Sequence, residues 1–253
     1  MRKAATLLVA VCLQGLVLAA MAQDQPGTVI EVIRIKPKPG MEKQFEAAGK
    51  EHVAWHRQKN DTWTWFVSQV MSGPRTGEYV AATPGHRWAD FDTAPVSREE
   101  DQADAATRIG QYVDSIETLY VVSLPKHSRP TEATTPSKYT TLVTIYVKQG
   151  METEYLNAVS KLPAAMEKTN WPGHYNFATL ANGGEHPTFF LLLRRDKWAD
   201  FAQPEKPFEK MLEDAYGRAE ADSILKTLDK STAKVSSEMR AYRPDLSYVP
   251  KSP

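Results

Sequence analysis

The sequence predicts an α+β protein made of two tandem copies of one unit, whose strands and helices follow the order βαββαβ. The first observation is a repeat: residues 28–91 recur 110 positions later without a gap, so that 38–42 (KPGME) match 148–152 (KQGME) and 88–91 (WADF) match 198–201. The second is that β-rich and helical runs alternate in the same order in both copies. Short matching segments that are separated by one constant spacing indicate two copies of one folding unit.

The first copy, residues 28–123, contains four predicted strands and two predicted helices. The strands are rich in Val, Ile, Thr and aromatic residues and span 28–36, 62–71, 78–82 and 118–123. The first helix, 41–59, has one apolar face formed by Met41, Phe45, Ala48 and Trp55. The second helix begins at a capping box made by Ser97 and Glu100, and it runs to about residue 114.

The second copy, residues 139–243, repeats this order. Its predicted strands span 139–147, 174–180, 188–193 and 238–242, and its helical regions span 151–169 and 205–230. Pro163 is expected to kink or split the first of these helices because proline cannot donate a backbone hydrogen bond. Residues 124–138, rich in Pro, Thr and Ser, predict a linker between the copies. Residues 244–253 are expected to form a loose tail.

The N-terminus, residues 1–22, predicts a secretory signal peptide. Arg2 and Lys3 precede a largely apolar run, and Ala-Met-Ala at 20–22 is typical of a cleavage site. An uncleaved N-terminal anchor is the alternative. The prediction is therefore an exported protein, periplasmic or extracellular. Cleavage would remove Cys12, the only cysteine, so thiolate chemistry is excluded from the mature chain.

Charge and composition exclude some classes of binding partner. Losing Arg2 and Lys3 from a chain with 31 basic and 31 acidic residues leaves a net charge of −2. After signal cleavage, a chain with balanced charge lacks the excess of positive charge that is typical of proteins that bind nucleic acid or an anionic membrane. Phosphate-binding glycine loops and nucleophile elbows are also absent from the sequence.

The order βαββαβ is the ferredoxin-like unit, in which helices cover one face of an antiparallel sheet. Two such units can cover each other's bare faces and close an α+β barrel. A strand, then KPG or KQG, then a Met-Glu helix with an aromatic residue four positions on (Phe45, Tyr155) resembles the dimeric α+β barrel superfamily. That superfamily includes antibiotic-biosynthesis-type monooxygenases, EthD-like and NIPSNAP-like proteins, and the two-copy chlorite dismutase relatives.

The resemblance implies that the usual dimer is built into one chain, which would be a monomer with two pseudo-dimeric halves. It also implies that the space between helix and sheet is available for a ligand. The residues themselves predict no cofactor. Haem is a possible cofactor only because of the resemblance to this family.

Differences between the copies indicate a candidate site in the first. His52 and His56 lie four positions apart and so share one helix face, whereas Leu162 and Met166 stand 110 positions later. We predict that both imidazoles face the sheet and that one of them is catalytic, moving a proton near neutral pH. Aromatic and imidazole side chains nearby are the predicted ligand-binding residues: Trp55, Trp63, Trp65 and His86.

Other interpretations of these residues stay open. The histidine pair can be a partly exposed helix face, and tryptophans in strands are usually core residues; the matched pair Trp88 and Trp198 is expected in the core. His52 and His56 have metal-ligand spacing, but the glutamate of the zincin signature is missing, so no metal site is predicted. Spacing alone cannot show whether His86 or Asp61 would complete one.

The function predicted from these observations is the binding of a small apolar or aromatic molecule in a pocket of the first unit, with proton-transfer or monooxygenase-like chemistry as the associated reaction. Whether the protein is an enzyme stays open at this stage. The alternative is a non-catalytic protein-interaction module with degenerate sites.

Overall fold

The structure, a computed structural model, describes residues 27–131 and 135–250. The predicted signal peptide, with Cys12, lies outside the described residues, as do the last three residues of the chain. Within the described ranges, each helix is too short or too polar to span a membrane.

The first half contains the strands β1 to β4 and the helices α1 and α2. In chain order they are β1 (Val29–Pro37), α1 (Glu42–Gln58), β2 (Phe66–Val70), β3 (Tyr79–His86), α2 (Arg98–Arg108) and β4 (Val113–Ser123). The side chain of Ser97 accepts a hydrogen bond from the backbone N–H of Glu100 at 3.2 Å, so the N-cap predicted for the second helix is present.

The second half has the same order with divided helices. Its elements are β5 (Tyr139–Val147), α3 (Glu152–Val159), α4 (Leu162–Lys168), β6 (Tyr175–Asn182), β7 (Thr188–Arg195), α5 (Phe208–Tyr216), α6 (Arg218–Ser231) and β8 (Thr232–Tyr242). Pro163 lies in the first turn of α4, so the predicted break in the helix is confirmed. Gly217, with φ of 82°, separates α5 from α6.

The eight strands form one antiparallel sheet that closes on itself in the order β1-β3-β2-β8-β5-β7-β6-β4. The α+β class and the antiparallel sheet agree with the prediction. Two seams join the halves. At one, Ser68 of β2 pairs with Tyr242 of β8; at the other, Val121 of β4 pairs with Leu180 of β6.

Among the described residues, hydrophobic packing divides into three clusters. One lies within the sheet and consists of Leu119, Val121, Leu142, Ala178, Leu180 and Phe190. The second-half cluster, between the sheet and helices α3 to α6, contains fourteen buried residues, including Met166 and Met211. The first-half cluster contains three: Phe45, Tyr79 and Leu246. More buried apolar residues therefore pack between helices and sheet in the second half than in the first.

The C-terminal segment is not the loose tail that the sequence suggested. Leu246, Ser247 and Tyr248 are buried. The backbone of Tyr248 exchanges two hydrogen bonds of 2.8 Å with Trp65, and Arg243 pairs with Asp245 at 2.9 Å. The prediction was wrong because the apolar side chains of this segment bury against the first half, at the opposite end of the chain.

The expectation that Trp88 and Trp198 are core residues was also wrong. They are 49% and 59% exposed. Each begins a short 3-10 turn, in which Asp90 or Asp200 accepts a hydrogen bond from the backbone at the start of the turn. The repeated WADF motif is thus a capped surface turn.

Candidate functional site

The two histidines of α1 and two aspartates of α2 meet where these helices pack together. His56 is buried, and the side chain of His52 is 16% exposed. Asp101 and Asp104 lie three positions apart on α2, so both face α1. Their side chains are 24% and 11% exposed. The helix spacing therefore brings two imidazoles and two carboxylates into one half-buried cluster.

A carboxylate fixes the Nδ1 atom of each imidazole. His52 Nδ1 lies 2.8 Å from Asp104 Oδ2, and His56 Nδ1 lies 2.9 Å from Asp61 Oδ2. Arg108 Nε donates to both oxygens of Asp104, at 2.8 and 2.9 Å. Because a carboxylate only accepts, the hydrogen-bond pattern assigns the proton to Nδ1 on both rings.

Two further hydrogen bonds fix the position of Asp61. Its Oδ1 accepts from the backbone N–H of Trp63 at 2.9 Å, and its carbonyl oxygen accepts from the hydroxyl of Tyr248 at 2.6 Å. The C-terminal segment thereby anchors the loop that orients His56.

The two Nε2 atoms and one oxygen of Asp101 converge on a common point. The Nε2 atoms of His52 and His56 are 3.2 Å apart. Asp101 Oδ1 lies 3.2 Å from the first and 3.4 Å from the second. This oxygen is buried, and no donor among the described residues is directed at it with hydrogen-bond geometry. Within residues 27–131 and 135–250, no other three His, Cys, Asp or Glu side chains bring their donor atoms this close together.

The carboxylates control the electrostatics of the cluster. Burial, the largest single cause, lowers the pKa of His56, but the nearby carboxylates of Asp101 and Asp61 outweigh it and raise that pKa to about 9. Burial likewise raises the pKa of Asp101, yet the two imidazoles together hold it below its ordinary value. The cluster thus favours a positive charge at its centre.

A cavity of about 460 Å³ opens beside this cluster, between α1, α2 and the sheet. His52, His56 and Asp101 lie in its wall, with Trp63 and Trp65. The remaining walls are mainly apolar and include Ile33, Ile35, Val67, Ala81, Ala105 and Val113.

Two predicted ligand-binding residues support this wall without lining the cavity. Trp55 stacks on His52, with ring centroids 5.6 Å apart. His86 is buried against Trp63 at 3.8 Å and its Nε2 lies 2.6 Å from the hydroxyl of Thr83. The structure therefore brings His52, His56, Trp63 and Trp65 together at the cavity. Their roles stay predictions.

The corresponding positions of the second half contain apolar residues. Leu162, Met166, Trp171 and Met211 stand 110 positions after His52, His56, Asp61 and Asp101, and all four belong to the second-half cluster or pack against it. The second half also has a cavity, of about 820 Å³, but this convergence of imidazole and carboxylate is absent from its lining.

Asp101 and Asp104 were missed by the sequence analysis. The signal was present: Asp104 and Ala105 recur as Asp214 and Ala215, which extends the repeat spacing through α2 and α5 and pairs Asp101 with Met211.

No protein-family model and no curated protein sequence matches the chain. Solved structures with a similar fold include a provisionally assigned monooxygenase from Lactobacillus acidophilus, an anthrone oxidase-like protein and a mutant chlorite dismutase from Candidatus Nitrospira defluvii. Their TM-scores are 0.53, 0.54 and 0.56, at 6%, 13% and 9% sequence identity. The alignments cover 87–88% of this chain and 93–96% of theirs.

The chain shares the ferredoxin-like α+β fold of these proteins. The predicted resemblance to monooxygenase-like and chlorite dismutase-like proteins is thus confirmed at the level of the fold. At such low identity the similarity establishes the fold alone and does not establish a reaction.

The resemblance also implied haem, and the donor set of the first-half cluster can be tested against it. Porphyrin nitrogens occupy four positions around haem iron, which leaves protein ligands only the two axial positions on opposite faces. Here three donor atoms converge within 3.4 Å of one another. The three donors cannot all bind one haem iron, although a single imidazole, His52 or His56, could serve as a haem ligand.

Proposed function

We propose that this protein is exported and binds a small apolar or aromatic molecule in the first-half cavity, where the molecule undergoes monooxygenase-like oxidation. One observation carries the proposal: an apolar cavity of about 460 Å³ has the imidazole–carboxylate cluster in its wall. Ligand pockets of about 300–1,000 Å³ with few, convergent polar groups are typical of small-molecule sites.

The aromatic and largely apolar lining of the cavity favours an apolar or aromatic ligand. Trp63 and Trp65 supply aromatic surface, and the polar groups of the wall include the cluster of His52, His56 and Asp101 and the Glu31–Arg98 ion pair. Two similar solved structures bear the names of oxidative proteins, a monooxygenase and an anthrone oxidase-like protein, which supports oxidation as the reaction class and anthrone as a test substrate.

Binding can be tested with the neutral fluorescent probe 1-aminoanthracene. Ala81 lines the cavity, and Leu191 stands 110 positions later, in the lining of the second-half cavity. We expect Ala81→Leu to fill part of the first-half cavity and weaken probe binding about tenfold or more, or about 1.4 kcal/mol. Leu191→Phe, a matched change in the other cavity, should leave this binding unchanged.

Turnover is measured as oxygen consumption with anthrone. Consumption by the native chain that is lost in Ala81→Leu would support the enzyme. Probe binding without consumption of oxygen by any aromatic substrate would reduce the proposal to a binding protein. If Ala81→Leu folds normally and binds the probe as the native chain does, the cavity is not the site.

The two halves are interpreted as copies of one unit that pair within a single chain as separate subunits would pair in a dimer. The constant spacing of the repeat and the two seams between β2 and β8 and between β4 and β6 support this interpretation. It makes the mature chain a monomer. Export rests on the pattern of residues 1–22.

A further inference from the structure

We propose that His52, His56 and Asp101 bind one divalent first-row transition-metal ion, with open coordination positions facing the first-half cavity. The proposal stands on donor geometry and goes beyond the proposed function, on which it depends only for the role of the cavity.

The orientation of the imidazoles supplies the first argument. Asp104 and Asp61 each accept from Nδ1, which leaves a lone pair on Nε2 of both rings in their neutral forms. These lone pairs face each other at 3.2 Å and face a buried carboxylate oxygen at 3.2 and 3.4 Å. Three electron-rich atoms in such proximity repel one another unless a cation lies between them, either a proton on one ring or a metal ion that replaces it.

The distances supply the second argument. Imidazole nitrogen and carboxylate oxygen bind zinc-sized ions at about 2.0–2.2 Å, which separates neighbouring donors by about 2.9 Å at 90° and about 3.4 Å in a tetrahedron. The three observed separations, 3.2, 3.2 and 3.4 Å, lie within this interval. One ion can therefore contact all three atoms without rearrangement of the side chains.

The surrounding hydrogen bonds supply the third argument. Histidines that bind metals almost always donate their other ring N–H to a carboxylate, a carbonyl or water, which fixes the ring. Both imidazoles do so here, and both accepting carboxylates are themselves held, Asp104 by Arg108 and Asp61 by the backbone of Trp63. Asp104 and Asp61 are positioning residues in this proposal.

The comparison between the halves supplies the fourth argument. The second half shows that this packing site accepts apolar residues, Met166 and Met211 as buried side chains and Leu162 as a partly buried one. Burying two imidazoles and a carboxylate instead sacrifices hydrophobic packing, and such clusters are retained at functional sites. Two histidines and one carboxylate that leave coordination positions open form the donor set of non-haem iron(II) oxygenases, and they also suit other divalent first-row ions.

The test uses the full mature chain, stripped with a chelator and titrated with Co²⁺, whose visible absorption reports a protein-bound ion. We expect one equivalent to bind, with visible bands and a rise in Tm because the ion binds the folded state. His56→Met and Asp101→Met introduce the residues of the second half; both should fold and lose the bands. Asp104→Asn should retain the bands with about 10–100-fold weaker affinity.

His174→Ala removes an exposed histidine of the second half and is the matched control, with unchanged binding expected. Failure of the native chain to bind one equivalent would overturn the proposal, as would equal binding by His56→Met. Measuring 1-aminoanthracene in the same samples separates this site from the proposed function. Ala81→Leu should weaken probe binding and keep Co²⁺, whereas Asp104→Asn, whose side chain does not line the cavity, should weaken Co²⁺ binding and keep the probe.

Discussion

Replacing Leu246 with alanine tests whether the C-terminal segment is part of the folded first half. The side chain is 5% exposed and packs with Phe45 and Tyr79. Burying a leucine contributes about 1.5–3 kcal/mol, and the void left by its removal adds to the loss. Because Leu246 already borders the cavity, part of the new void merges with existing space. We therefore expect the lower part of the range for such changes, about 2–3 kcal/mol.

The assay is equilibrium urea unfolding followed by tryptophan fluorescence, with Tm as a second measurement. For a chain of this size the loss corresponds to a fall in Tm of about 4–12 °C. Val249→Ala is the matched control, since Val249 lies three residues away and is 56% exposed. It should change stability by less than about 0.5 kcal/mol. Equal effects of the two substitutions would refute the account of a buried segment and restore the loose tail.

Two further predictions concern pH and assembly. Burial lowers the pKa of His86 below its ordinary value of 6.5, only partly offset by the charges of Asp90 and Asp61. The unfolded chain therefore binds this proton more readily than the folded chain does, and the contribution of His86 to stability is present above pH 6.5 and is lost as the pH falls. Urea unfolding at several pH values should show that the free energy of unfolding falls less between neutral and acidic pH in His86→Gln than in the native chain. The mature chain should be a monomer by light scattering, and a tight dimer at micromolar concentration would contradict the pairing of halves within one chain.

The repeat made much of the fold and half of the candidate site predictable. A constant spacing aligned His52 and His56 with Leu162 and Met166, and this difference predicted that both imidazoles face inward. Asp101 was missed because the C-terminal helical region of the second copy is longer, which obscured the alignment there. In the structure, α2 and α5 keep the spacing of the repeat, and the additional length lies in α6.

Comparison of the two copies could not predict which residues are buried by contacts with segments distant in sequence. The segment around Leu246 looks polar and rich in proline, and nothing local indicates that it will pair with Trp65. The prediction that Trp88 and Trp198 are buried was wrong for a different reason. Their matched positions reflect the geometry of a capped turn, and a repeated residue is not necessarily a buried one.

The unequal clusters of the two halves also have a dynamic consequence. In the described part of the chain, the second-half cluster has fourteen buried residues, whereas the first-half cluster has three beside an open cavity. Regions with few apolar contacts open locally at lower free energy than the rest of a protein. Amide hydrogens of α1 and α2 should therefore exchange with solvent sooner than those of α5 and α6. Such local opening would widen the entrance of the first-half cavity while the second half stays folded.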